Sequence, residues 1–161
     1  MKPDIDNRIA EGSIPARFDT RVIEITPEAV IVDPPESLPA DRWAVVTSAG
    51  RDLALSRLTA VGLPLPGVLV GADDVAVGKP DPEGYLKAAR ALGITPSRIV
   101  VVEDTPAGAQ AGRAAGAFVV GICTTFPRVA GCNILIADLR GMRVTGAGPG
   151  SALRFLLRPT S

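Results

Sequence analysis

The chain has 161 residues, of which 47% are hydrophobic and 21% are charged, so it is long enough for one domain with a sizeable core. Basic and acidic residues balance at 17 each, which gives no reason to expect a nucleic-acid or membrane surface and favours a small-molecule partner. Because the sequence contains no histidine, histidine-based triads and imidazole metal sites are excluded, and any catalysis must depend on carboxylates, lysine and hydroxyls.

The apolar runs and the cysteines both predict a cytoplasmic protein. No apolar run reaches the roughly 20 residues that span a bilayer, and the acidic, proline-containing N-terminus is unlike a signal peptide. The two cysteines, Cys123 and Cys132, have no metal-binding spacing, and we expect both to be buried and reduced.

Residues 1–41 differ from the rest in their repeated prolines and short apolar runs, and we interpret them as an atypical leader before an α/β core over residues 42–161. Within this leader, residues 21–25 and 29–32 could form two short strands joined as a hairpin. Asp33 follows the second run, but too few residues separate it from the next strand for a parallel crossover, so a turn is the better interpretation.

The core begins with an apolar run at residues 43–46, which predicts a strand, followed by a Thr-Ser-Ala-Gly turn and a helical pattern of leucines. Ser48 lies in this turn, where its hydroxyl and the following backbone N–H groups could cradle a phosphate. Serine is also a common helix cap, and on this turn alone the cap is the better interpretation.

A second strand over residues 67–70 leads to a loop in which Lys79 is followed by two prolines, before a helix over residues 83–92. The prolines prevent a helix from running through Lys79, so its ammonium can reach the edge of the sheet and hold a phosphate oxygen. A lysine on such a loop is ordinarily exposed surface, and the functional interpretation needs support from other motifs.

The stretch from residue 98 to residue 108 gives that support. Its β-branched run at residues 99–102 is typical of a strand buried on both faces of a parallel sheet, and Glu103 and Asp104 follow at the carboxyl end. Thr105 and Pro106 then open a helix as its cap and first residue. Two adjacent carboxylates at this edge suit Mg²⁺, although the pair could also simply solvate the loop and start the helix.

Strands predicted over residues 117–122 and 134–137 continue the alternation of strands and helices. This order predicts a three-layer, Rossmann-like α/β fold with a parallel sheet and helices on both faces. The tail from Gly141 is expected to end in a short edge strand that carries no chemistry.

Three segments, VVTSAGR at 45–51, VGKPDPE at 77–83 and VVEDTPAG at 101–108, each lie where a strand gives way to a helix. Together they resemble the haloacid dehalogenase-like (HAD) superfamily, in particular its sugar-phosphate and polyol-phosphate phosphatases of the beta-phosphoglucomutase and glycerol-phosphatase type. The resemblance covers about residues 38–144 and implies a Mg²⁺-dependent phosphomonoester hydrolase that uses an aspartyl-phosphate intermediate on a small phosphorylated metabolite.

The resemblance also implies a role for each motif residue. Ser48 would bind the transferring phosphoryl group, with Thr47 as the alternative, and Lys79 would steady the charge between nucleophile and phosphate. Glu103 and Asp104 would hold Mg²⁺ directly or through water. This set provides the charge neutralisation and positioning that phosphoryl transfer needs.

The family's first motif, a strand ending in D-x-D whose first aspartate is the nucleophile, has no clear counterpart in this sequence. The only D-x-D, at Asp4 and Asp6, follows no strand-like run, and Asp33 has Pro35 where the second aspartate belongs. Too few residues precede Trp43 to supply both this central strand and a substrate-selecting cap domain. Two alternatives therefore stay open, a non-catalytic module that binds phosphate and metal, and a truncated remnant of such a phosphatase.

A missing central strand would leave backbone groups of its neighbours unpaired, at about 1 to 3 kcal/mol each. Residues 29–32 could fill the gap, the flanking strands could close up, or a second copy in a homo-oligomer could contribute a strand. We favour residues 29–32.

Overall fold

The structure is a computed structural model that describes residues 20–23, 38, 40–145 and 154–157. Its strands are β1 (Thr20–Ile23), β2 (Trp43–Val46), β3 (Val68–Val70), β4 (Ile99–Glu103), β5 (Phe118–Ile122), β6 (Ile134–Ile136), β7 (Met142–Thr145) and β8 (Arg154–Leu157). Its α-helices are α1 (Arg51–Ala60), α2 (Glu83–Ala91) and α3 (Pro106–Ala114). Most predicted elements therefore form within one or two residues of their expected bounds.

The first six strands form one sheet in the order β3-β2-β1-β4-β5-β6, and every neighbouring pair is parallel. Parallel strands that follow one another in the chain need a crossover, and the three helices fill this role. α1 connects β2 to β3, α2 connects β3 to β4, and α3 connects β4 to β5. The predicted Rossmann-like α/β fold is confirmed.

The core has two clusters, one on each face of the sheet. Successive side chains of a strand point to opposite faces, and in β4 Val100 and Val102 enter one cluster while Ile99 and Val101 enter the other. Leu58 of α1 packs in the first cluster. The second cluster contains the buried tyrosine of α2 and the buried alanines of α2 and α3, which places helices on both faces of the sheet as predicted.

The central position of the sheet is filled by β1, which pairs in parallel with β2 on one side and β4 on the other. Ile23 is level with Val45 and with Val102 in these two pairings. The expectation that residues 29–32 fill this gap is therefore wrong, and β1 is not one arm of a hairpin but an inner strand of the sheet. Residues 29–32 and Asp33 lie outside the described residues. The division of the chain at residues 41 and 42 stays a prediction.

The short edge strand predicted for the tail forms as β8, which pairs with β7 in an antiparallel two-stranded sheet apart from the main one. The buried side chains of this two-stranded sheet, Met142, Phe155 and Leu157, join the cluster that α1 covers.

Cys123 and Cys132 are free thiols, but both are half-buried rather than buried, and partial burial raises the pKa of the Cys132 thiol. Over the described part of the chain, no helix has the length and apolar character needed to cross a membrane.

Candidate active site

The predicted site residues lie at the carboxyl edge of the sheet, around the end of β1. Ser48 follows β2 by two residues, Glu103 is the last residue of β4, and Asp104 comes directly after it. β2 and β4 flank β1 and run parallel to it, so all three strands end at the same edge. This edge is where ligands bind in open α/β sheets.

A buried ion pair joins the segment at residues 77–83, which contains Lys79, to the segment at residues 101–108, which contains Glu103. The ammonium Nζ of Lys79 lies 2.8 Å from Oε1 of Glu103, with 10% of the lysine side chain and none of the glutamate side chain exposed. The same ammonium lies 3.4 Å from the carbonyl oxygen of Val46, the last residue of β2. The pair therefore ties the Lys79 loop to the ends of two strands, and a buried carboxylate gains the partner that it requires.

Tyr85 and Thr105 also donate hydrogen bonds to Glu103. The hydroxyl of Tyr85 donates to Oε1 over 2.5 Å, while Oε2 accepts from the backbone N–H of Thr105 at 3.3 Å and from its hydroxyl at 3.1 Å. Thr105 is also the predicted cap of α3, since its hydroxyl oxygen accepts from the N–H of Gly108. Together with the Lys79 ammonium, these hydrogen bonds engage both oxygens of the carboxylate. Glu103 is thus an anchor for the lysine.

Asp104 has a different hydrogen-bond partner from Glu103. Its Oδ2 accepts a hydrogen bond from the hydroxyl of Thr125, in the loop after β5, and the residue is 1% exposed. Within the residues that the structure describes, no three acidic or thiol side chains gather as a metal site. Mg²⁺ commonly takes one or two carboxylates and completes its shell with water and substrate phosphate oxygens. Asp104 fits this donor set better than Glu103, whose oxygens are engaged.

Ser48 is the exposed hydroxyl of the turn after β2. Thr47 is 5% exposed, and its hydroxyl oxygen accepts from the backbone N–H of Ala49 at 3.1 Å. The cap of α1 is Gly50, without any side-chain hydrogen bond, so the interpretation of Ser48 as the helix cap is wrong. Thr47, Ser48 and Lys79 all line one cavity of about 320 Å³, so it is the exposure of Ser48 that distinguishes it from the buried Thr47. These positions favour Ser48 over Thr47 as the hydroxyl offered to a ligand.

An acidic turn that sequence reasoning missed holds the Ser48 loop. Asp73 Oδ2 accepts from the backbone N–H of Arg51 at 3.1 Å, and Asp74 Oδ2 accepts from the guanidinium of the same arginine at 2.9 Å. Asp74 also accepts from the backbone N–H of Gly71 at 2.8 Å, and this bond, with help from Arg51, lowers the pKa of the Asp74 carboxyl. The start of α1 is thereby fixed against the turn after β3.

The carboxylate of Glu83 holds the loop that leads to Lys79. Glu83, in the first turn of α2, accepts through Oε2 from the backbone N–H groups of Ala76 and Val77, each at 2.9 Å. The ammonium of Lys87 lies 2.7 Å from its other oxygen. Because of the Lys87 hydrogen bond first and the two N–H groups next, the pKa of Glu83 falls to about 2.

The predicted Lys79 lies against Glu103 and lines the same cavity as Ser48, but the residues that hold these side chains were not predicted from the sequence. Tyr85 is the only tyrosine in the chain, and it lies six positions after Lys79 in a helix whose inner face is apolar, so nothing local marks it as a carboxylate partner. Asp4, Asp6 and Asp33, the aspartates considered for the first motif, lie outside the described residues.

Comparison with known proteins supports the resemblance found in the motifs. The model of the family "haloacid dehalogenase-like hydrolase" matches residues 37–116. Glycerol-1-phosphate phosphohydrolase 2 of Saccharomyces cerevisiae is 37% identical over 147 residues, which cover 84% of this chain and 59% of the yeast protein. Validoxylamine A 7'-phosphate phosphatase of Streptomyces hygroscopicus subsp. limoneus is 49% identical over 108 residues, 65% of this chain and 51% of that protein.

A similar fold is found in the crystal structure of CbbY from Rhodobacter sphaeroides in complex with phosphate. It aligns with a TM-score of 0.56 and 29% identity, and the alignment covers 60% of this chain and 46% of that one. The chain spans 59% and 51% of the lengths of the two curated relatives described above. The resemblance that the sequence motifs indicated is confirmed.

Proposed function

We propose that this chain, whose residues 37–116 match the haloacid dehalogenase-like hydrolase family model, is a phosphomonoester hydrolase acting on a small sugar or polyol phosphate. The observation that carries the proposal is the position of Lys79, which is paired with Glu103 and lines the same cavity as Ser48. Three motifs that are distant in sequence thus converge where an anion can be held. The names of the two curated phosphatases described above suggest the substrate class.

Lys79 and Ser48 would bind and orient the phosphoryl group. Charge spreads over the three equatorial oxygens during phosphoryl transfer, and a fixed ammonium lowers the energy of that state. The Ser48 hydroxyl can donate a hydrogen bond to a second oxygen. Glu103 would act through Lys79, because it keeps the ammonium at the ends of β2 and β4.

We propose Mg²⁺ as the cofactor, with Asp104 as the direct ligand and Glu103 at most a ligand through water. A divalent cation at this edge would neutralise phosphoryl charge and orient the group for in-line attack. The cytoplasmic location, the small phosphorylated partner and a homo-oligomeric state stay predictions.

The nucleophile is the open part of this proposal, because family chemistry requires a carboxylate that takes the phosphoryl group. Four sequence positions before residue 42 deserve substitution: Asp4, Asp6 and Asp33, considered above, and Glu24, which follows Ile23 in the sequence. We expect one of the variants D4N, D6N, E24Q and D33N to lose both turnover and the acid-stable phosphoryl-enzyme trapped from ³²P-labelled acetyl phosphate. Full turnover in all four would contradict a nucleophile at any of these positions.

The decisive test is hydrolysis of p-nitrophenyl phosphate and of glycerol phosphate with Mg²⁺. We expect Asp104→Asn and Lys79→Ala each to lower kcat/KM by about 100-fold or more, since each removes a charge that acts on the reacting group. Asp52→Asn removes an exposed carboxylate of α1 and is the matched control. Unchanged turnover by Asp104→Asn would refute the site.

A non-catalytic phosphate-binding module is the second candidate, favoured because none of the strands within the described residues ends in D-x-D. Calorimetry with inorganic phosphate and Mg²⁺ separates the two candidates. Binding that Lys79→Ala abolishes, in a wild-type chain without hydrolysis, would identify the module. A chain that neither binds nor hydrolyses, and does not melt cooperatively, would instead be a truncated remnant.

A further inference from the structure

We propose that Tyr85 is a positioning residue, whose hydroxyl fixes the Glu103 carboxylate so that Lys79 is presented to the cavity lined by Ser48. The inference rests on the function proposed above, since it assigns a role to Tyr85 in that same site. Tyr85 does not need to touch the substrate, because it acts through the ion pair.

The contact is direct and fully buried. Tyr85 has no exposed surface, and its hydroxyl lies 2.5 Å from Oε1 of Glu103, the same oxygen that accepts from Lys79 at 2.8 Å. Buried tyrosine hydroxyls generally find a partner, but a backbone carbonyl would suffice for that. Here the partner is the charged group that sets the place of the lysine, and bonds to charged acceptors are about twice as strong as neutral ones.

The Glu103 carboxylate is held in one orientation because its donors come from different helices. Tyr85 belongs to α2 and meets one oxygen, while Thr105 caps α3 and meets the other. A carboxylate held at both oxygens cannot rotate to follow its lysine. The long, flexible lysine side chain must instead come to a fixed acceptor, at the end of β4.

The ring of Tyr85 contacts the other member of the pair. Nζ of Lys79 lies 5.0 Å from the ring centroid, within the range of a cation–π interaction. One side chain therefore acts on the carboxylate through its hydroxyl and on the ammonium through its ring. The two contributions can be separated, because phenylalanine keeps the ring and removes only the hydroxyl.

Tyr85→Phe is thus the informative variant, and Ile99→Val is its matched control. Ile99 is buried in the same cluster as Tyr85, and the change deletes one methylene without touching the ion pair. We expect Y85F to lower kcat for p-nitrophenyl phosphate by about 10-fold with KM changed less than about twofold, the pattern of a misplaced catalytic group. I99V should retain the wild-type kcat and KM while its free energy of unfolding falls by about as much as that of Y85F.

A second readout does not depend on hydrolysis. In a protein labelled with ¹⁵N-lysine, the buried ammonium of Lys79 should give a slowly exchanging NMR signal, distinguishable from the signals of Lys2 and Lys87 by its loss in Lys79→Ala. We expect this signal in the wild type and in I99V, and exchange broadening of it in Y85F. A purely structural role for Tyr85 would leave it unchanged.

The two readouts separate failure of the inference from failure of the proposed function. A Y85F protein that keeps wild-type kcat, or keeps the sharp Lys79 signal, overturns the positioning role. A wild-type chain without hydrolysis, whose Lys79 signal is nevertheless lost in Y85F, would refute the phosphatase and leave the positioning role standing.

Discussion

Gly108 makes room for the Glu103 carboxylate, since a Cβ built on Gly108 would lie 1.8 Å from Oε1 and 2.2 Å from Oε2. Gly108 lies in the first turn of α3, where alanine would ordinarily favour the helix by about 1 kcal/mol over glycine. The helix thus gives up intrinsic stability to admit a buried carboxylate. The positions of Glu103 and of Lys79, which it anchors, therefore depend on the absence of a side chain at residue 108.

Gly108→Ala should therefore destabilise the protein in spite of its better helix propensity. We expect a loss of about 3 kcal/mol in the free energy of unfolding, because the carboxylate must leave its hydrogen-bond donors or the helix must shift. Turnover should fall by about 100-fold, since Lys79 loses its acceptor. Urea denaturation and hydrolysis of p-nitrophenyl phosphate measure the two effects.

Gly112→Ala, one turn along the same helix, is the control for that change. Its Cβ would meet the side chain of Val119 at 2.9 Å, an apolar contact away from the ion pair. We expect lower stability with turnover preserved. Equal losses of turnover in both variants would show that the helix as a whole, rather than the carboxylate, is responsible.

The Lys79–Glu103 pair should show strong energetic coupling. Lys79→Met leaves a carboxylate with no exposed side-chain surface, and we expect it to cost about 3 kcal/mol of stability. Adding Glu103→Gln should recover about 1 to 2 kcal/mol of that loss, because the uncompensated charge is removed. The exposed pair of Arg140 and Asp138 is the control, and Arg140→Met should leave the free energy of unfolding nearly unchanged. Additive losses in the buried pair would contradict the coupling.

Much of the fold could be predicted because its signals are local. The β-branched run of β4 and the cap and proline that open α3 follow directly from residue type, and the Thr105 cap forms as expected. The edge on which the motif residues meet could be predicted as well, since parallel strands share it. Local patterns were sufficient for these features.

The inner strand and the anchoring network could not be predicted in the same way. β1 is a four-residue strand, as long as the run expected to fill its position but less apolar, and its place is set by pairing on both sides. Tyr85 and Glu103 are 18 positions apart in sequence, and their contact exists only once α2 packs on β4. The adjacent acids looked equivalent in the sequence, yet Glu103 and Asp104 turn to different partners.

Glu83 should make the stability of the protein depend on acid pH. Its folded pKa of about 2 lies below its usual value near 4.5, so its contribution is present above pH 4.5 and is lost as the pH falls toward 2. Wild type should therefore be more stable than Glu83→Gln at pH 6, and this difference should shrink between pH 4.5 and 2. Urea midpoints measured across that range test the expectation. Asp52→Asn is the control, and a Glu83→Gln difference that is constant with pH would contradict it.

Gly71 should prove as important for the Ser48 loop as Gly108 is for Glu103. A Cβ on Gly71 would lie 2.9 Å from the backbone nitrogen of Arg51 and 3.1 Å from the carbonyl oxygen of Ala49, and backbone atoms cannot move aside as a side-chain end can. Gly71→Ala should therefore displace this loop and weaken binding of inorganic phosphate by about 10-fold in calorimetry, while the Lys79 ammonium signal is kept. Gly78→Ala is the matched control, since a Cβ there meets nothing within 4 Å. Phosphate affinity that is equal in both variants would mean that the turn after β3 does not hold Ser48 in its binding position.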